Sequence, residues 1–84
     1  MNMPQLRVGD QVEGVYVGHA FRGRVEAARA LTVKTDGAIE FLVSLAEPVE
    51  ILGLKRDRIL VMAKADGSPS SYTRHTDSLR IRAG

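Results

Sequence analysis

The strongest constraint on this chain is a two-residue period that starts at Phe21. The odd positions read Phe21, Gly23, Val25, Ala27, Arg29, Leu31 and Val33, and the even ones Arg22, Arg24, Glu26, Ala28, Ala30, Thr32 and Lys34. Successive side chains of a strand point to opposite faces, so one apolar row beside one polar row describes a strand half-buried against a core. The run exceeds the usual strand length of roughly five or six residues. It is therefore expected to bend or break, and Ala28-Arg29-Ala30, where the alternation stumbles, is the expected place. A helix over Val25–Leu31 competes because alanine favours it. No capping residue precedes that stretch, and the two-residue period fits it better.

The rest of the chain repeats this pattern in shorter pieces. Val12, Val15, Tyr16 and Val17 lie in a first strand over Gln11–Val17, with a turn at Gly18-His19-Ala20. Asp36-Gly37 is a hairpin signal, since both residue types tolerate positive φ. Ile39, Phe41, Val43 and Leu45 then share one face. Ala46-Glu47-Pro48 breaks the run, because proline cannot donate to a ladder, and Val49 and Ile51 resume it. Gly53–Arg58 reads as a charged turn. Ile59, Val61 and Ala63 alternate with Leu60, Met62 and Lys64, which predicts a strand apolar on both faces and the most buried of all. A loop over Asp66–Ser71, a short strand at Tyr72–His75, a turn at Thr76-Asp77-Ser78 and an edge strand at Leu79–Arg82 complete the reading.

Five or six short strands without a convincing helix must close or pack on themselves, because open edges invite aggregation. At 84 residues the expected solution is one domain over residues 1–84. It is an all-β, single small barrel of strongly bent antiparallel strands, with residues 1–5 and 83–84 as flexible tails. The chain has no cysteine, which excludes disulfides, thiolate metal sites and a cysteine nucleophile. No apolar run approaches the ~20 residues needed to cross a bilayer, and Met1–Gln5 does not open a secretory signal. A cytoplasmic, bacterial protein with no membrane partner is expected.

Residues 6–12 and 18–25 carry a family resemblance. Gly9-Asp10, Val12, Gly23 and Val25 resemble the opening of SH3-like small barrels of the KOW and Tudor-like kinds. Gly18, Phe21, Gly23, Val25 and Leu31 also resemble the turn and bent second strand of Sm-like barrels. The resemblance implies an SH3-like barrel and, through its Sm-like side, a ring around RNA. It covers roughly the first 35 residues and departs from the family elsewhere. Tyr16, Phe21, Phe41 and Tyr72 are the only aromatics, and with both phenylalanines on apolar faces too few remain for a cation–π cage. The last segment does not match the second Sm signature.

Residues 1–54 hold five basic and seven acidic side chains, and residues 55–84 hold seven basic and three acidic. Nine arginines against three lysines suit bidentate phosphate contacts, although abundant alanine alongside them also fits a GC-rich genome. Arg22 and Arg24 project from one face about 7 Å apart, and Arg80 and Arg82 repeat that spacing. Lys55, Arg56 and Arg58 form a basic turn. These seven residues are the candidate contacts to a nucleic-acid backbone. The alternative is a protein-interaction module or homodimer, using Leu42, Leu60 and Met62 on the face opposite the core. No cofactor or metal is expected, and no enzyme. His19 falls in a turn, and His75 with Asp77 and Ser78 reads as turn capping rather than acid–base chemistry.

Overall fold

The computed structural model describes residues 5–30, 37–68, 70 and 78–81. Five strands follow one another as β1 (Gln11–Tyr16), β2 (His19–Ala30), β3 (Ile39–Ile51), β4 (Leu54–Ala63) and β5 (Ser78–Ile81). Every ladder is antiparallel, and the strands form one sheet in the order β4-β3-β2-β1-β5. The expected all-β architecture is what the chain adopts, and Val25–Ala30 are strand rather than helix. The expected short strand at Tyr72–His75, the turn residues Thr76 and Asp77, the Asp36 half of the hairpin turn and the tails at 1–4 and 83–84 lie outside the described residues.

The barrel is not closed. β4 and β5 end the strand order and share no ladder, so the sheet curls over its own core. Leu6 and the turn after β4 bridge the open side. The Leu6 N–H donates to the Ala65 carbonyl at 2.8 Å, and Lys64 N–H donates to the Ser68 carbonyl at 2.9 Å. Gly67 packs against the Leu79 carbonyl of β5 so closely that a Cβ would collide with it. The core is built from one residue in two along each strand: Val12, Phe21, Val25, Phe41, Val43, Ile59, Val61 and Leu79 are all buried. The Gly9-Asp10 pair serves the same assembly. Asp10 Oδ2 accepts from Arg7 N–H at 2.8 Å, and Gly9 and Asp10 exchange backbone bonds with Val25.

The long second strand is interrupted, but earlier than its sequence suggests. The register with β3 slips between Val25 and Ala27, so Glu26 is an extra residue in a β-bulge. One extra residue reverses which row faces inward. Ala28 then stands opposite Phe41, and Arg29 opposite Glu40. The charge that disturbed the apolar row is thereby moved to the outer face, where Arg29 Nη2 meets Glu40 Oε1 at 3.2 Å.

Two turn readings are corrected. Tyr16 pairs with His19 and Ile51 with Leu54, leaving two-residue loops at Val17-Gly18 and Leu52-Gly53, with positive φ at all four residues. Mirror-image turns of this kind match the twist of their flanking strands, so His19, Ala20 and Leu54–Arg58 are strand instead of turn. β4 is also less buried than expected. It is an edge strand with one inward row, and Leu60 remains 51% exposed.

Leu52 breaks two rules together: it is 93% exposed and holds φ at 53°. Left-handed backbone costs an ordinary side chain about 1–2 kcal/mol, a penalty that asparagine largely escapes. Leu52→Asn is therefore expected to raise the thermal midpoint by about 4 °C or more, read by circular dichroism. A fall would mean that Leu52 is covered in solution.

Candidate functional site

The outward row of β1, β2 and β5 is set by the same alternation that fills the core. Val12 and Phe21 point inward, so Glu13 and Arg22 point outward, and Leu79 inward puts Arg80 outward. Register then aligns them, since Glu13 stands opposite Arg22 on one side and opposite Arg80 on the other. Arg80 Nε meets Glu13 Oε1 at 3.2 Å. Among the described residues Arg22 has no ion-pair partner.

Beside this row, β3 leaves its ladder. Ser44 pairs with Arg58 and Val49 with Arg56, so β3 advances five residues where β4 advances two. The three extra residues bend the strand at Leu45–Pro48, and Pro48 has no N–H to lose from the ladder. The bend forms one wall of a cleft of about 600 Å³. Ala46, Glu47, Pro48 and Val49 line it from β3, Glu13 and Val15 from β1, Ala20, Phe21 and Arg22 from β2, and Ser78 and Arg80 from β5. The lining is mixed, with Glu13, Arg22, Glu47 and Arg80 converging beside Val15, Phe21 and Val49, and convergent polar groups of this kind fix a ligand's orientation.

Of the seven basic candidates, Arg22, Arg24 and Arg80 do lie on adjoining strands of the outer face, because β5 pairs with β1. The others do not join them. Arg58 Nε is held by Glu26 Oε2 at 3.4 Å, and Lys55 and Arg56 sit in the β3–β4 hairpin opposite Glu50 and Val49. β4 and β5 are opposite edges of the sheet, and Arg82 lies outside the described residues. Leu42 and Leu60 face each other in the β3–β4 register, with Met62 two residues along the same row.

His19 is exposed at the start of β2, and His75 and Asp77 lie outside the described residues. Ser78, read as a turn residue, begins β5 and lines the cleft. Among the described residues no group of three or more His, Cys, Asp or Glu is placed to hold a metal ion, and no helix is long and apolar enough to cross a membrane. Asp66 is a structural carboxylate. The Ser68 hydroxyl, at 2.6 Å, and the Ser68 N–H, at 2.9 Å, donate to its Oδ1 and hold its pKa below the ordinary carboxylate value.

The sequence reading missed Glu13, Glu47, Pro48 and Val49 as site residues. The available signal is the break at Ala46-Glu47-Pro48, where the interruption of a strand also makes a cleft wall.

Comparison with known families revises the functional expectations. The model of a family described as "Glyoxalase superfamily protein" matches residues 1–78. No curated protein and no solved structure matches. The family match overturns the SH3-like, KOW, Tudor-like and Sm-like resemblance. It also overturns the functions drawn from that resemblance and from the arginine pairs, namely nucleic-acid backbone binding and, as the alternative, a protein-interaction or accessory module. The expectation that the chain is not an enzyme falls with them, since this family includes enzymes.

Proposed function

Since the chain belongs to the family of glyoxalase superfamily proteins, we propose that it is a small-molecule-binding domain. Its ligand sits in the cleft between the Leu45–Pro48 bend of β3 and the adjoining stretches of β1, β2 and β5. The observation that carries this reading is the coincidence of the cleft with the one place where β3 gives up its pairing with β4. The break leaves the backbone of Ala46, Glu47 and Pro48 outside the ladder and open to solvent, at the point where charged and apolar side chains converge. The volume, about 600 Å³, falls within the ~300–1,000 Å³ of ordinary ligand sites.

The test is a two-dimensional amide NMR spectrum of the full chain recorded against a set of small aromatic and aliphatic fragments. Fragments that bind are expected to shift Val15, Ala20, Phe21 and Val49 together and to leave Leu60 and Met62 unmoved. Shifts confined to other regions, or none from any fragment, would remove the proposal.

A further inference from the structure

We infer that the ligand of this cleft is a small organic anion, with its carboxylate or phosphate group bound by Arg22. This inference rests on the cleft reading above. It is carried by the unequal fate of two arginines flanking one carboxylate. Glu13 lies between Arg22 and Arg80 in the sheet register, and its carboxylate is turned to only one of the two. It takes Arg80 at 3.2 Å. Arg22 is left with its fork of donors open among the described residues, on the cleft wall beside Val15 and Ala20.

A guanidinium presents paired N–H donors in the plane and spacing of carboxylate or phosphate oxygens, so an open one beside apolar surface selects an anion with an organic body. The two arginines lie two strand spacings apart, about 10 Å. One small anionic group therefore reaches Arg22 without having to displace the Arg80–Glu13 pair. Glu47 on the opposite wall disfavours a second negative charge there, which points to an anion charged at one end only. The row also makes Glu13 a competitor. Removing Arg80 frees Glu13 to turn to Arg22, whereas removing Glu13 leaves both arginines open.

The experiment titrates the full chain with benzoate, phenyl phosphate and benzamide, followed by the amide shifts of Val15, Ala20, Phe21 and Val49. Benzoate and phenyl phosphate are expected to bind at least about tenfold more tightly than benzamide, as charge-assisted bonds do over neutral ones. The ratio between the two anions identifies the head group. Arg22→Gln should bring the anions down to the benzamide level. Arg80→Gln should weaken anion binding in part, and Glu13→Gln should strengthen it. All three positions are on the outer face, so the spectrum of each variant should otherwise match the parent. Equal binding of benzoate and benzamide, or anion binding indifferent to Arg22→Gln, overturns the inference while the cleft stands. No cleft shift from any of the three probes overturns both.

Discussion

Phe41→Ala is expected to lower the thermal midpoint by about 15–30 °C, and to leave the chain mostly unfolded at the upper end of that range. Phe41 has no exposed surface and is among the largest fully buried side chains of the core. It stands opposite Val61 on β4 and opposite Ala28 on β2, so it ties three strands together from the middle of the sheet. Truncating a buried phenylalanine costs about 3–5 kcal/mol in lost burial and cavity formation. An 84-residue chain has a stability of only about 4–13 kcal/mol to draw on, and in a domain of this size each kcal/mol moves the midpoint by about 4–8 °C. The cavity cannot be filled from the far side of a second layer, because the core is enclosed by one curled sheet. Urea denaturation followed by circular dichroism checks the size of the effect. Phe41→Leu, which keeps most of the volume, should recover more than half of the loss. A midpoint within a few degrees of the parent for Phe41→Ala would mean that the sheet does not curl over Phe41.

The curl itself was legible in the residues, while the places where it departs from regularity were not. Alternation over Phe21–Val25 and Ile39–Val43 names the inward row correctly, because burial on one face leaves a two-residue period in any strand that has it. The same rule could not find the bulge at Glu26. Whether a strand carries one residue more than its partner depends on the partner, and the partner begins only at Ile39, thirteen positions later. Arg29 was the trace of that bulge, visible as a charge in an apolar row, and only the pairing with Glu40 explains it. Leu54–Arg58 failed for a related reason. Edge strands carry charge on exposed positions, so their composition imitates a turn.

The site follows the same division. Arg22 and Arg80 are legible in the sequence as arginines on strand faces, but their chemistry depends on Glu13 between them, and that placement is a matter of register. The glycine and valine spacing that resembled one family of barrels has a general cause. Gly9 and Gly18 hold positive φ in turns, and Gly14 and Gly23 lie under neighbouring backbone. Any small, sharply curled sheet needs both features, so they report curvature and not ancestry.

Gly23→Ala should be the most costly single added methyl in the chain's second strand. A glycine inside a strand is ordinarily a weakness, and alanine there is worth about 0.5–1 kcal/mol in the stabilising direction. The opposite sign is expected at Gly23. It is buried at a crossing, opposite Val12 on β1 and Leu45 on β3. A Cβ there would run into the Ser44 carbonyl and come within 2.9 Å of Val43 Cγ1. The side chain can turn away, but the carbonyl belongs to a strand held on both sides and must move with its ladder. Overpacking of this kind costs about 1–3 kcal/mol and sometimes more, and the rigid obstacle puts Gly23→Ala at about 3 kcal/mol. Combining it with Val43→Ala separates the two obstacles. If the valine methyl were the whole problem, the double variant would be no less stable than Val43→Ala alone. With the Ser44 carbonyl as the main obstacle, the double variant should remain about 2 kcal/mol below Val43→Ala. Because Ser44 immediately precedes the bend that walls the cleft, the displaced carbonyl should also shift the amides of Ala46, Glu47 and Val49. Full stability in Gly23→Ala, with those amides unmoved, would show that β2 and β3 do not approach as closely as the curled sheet requires.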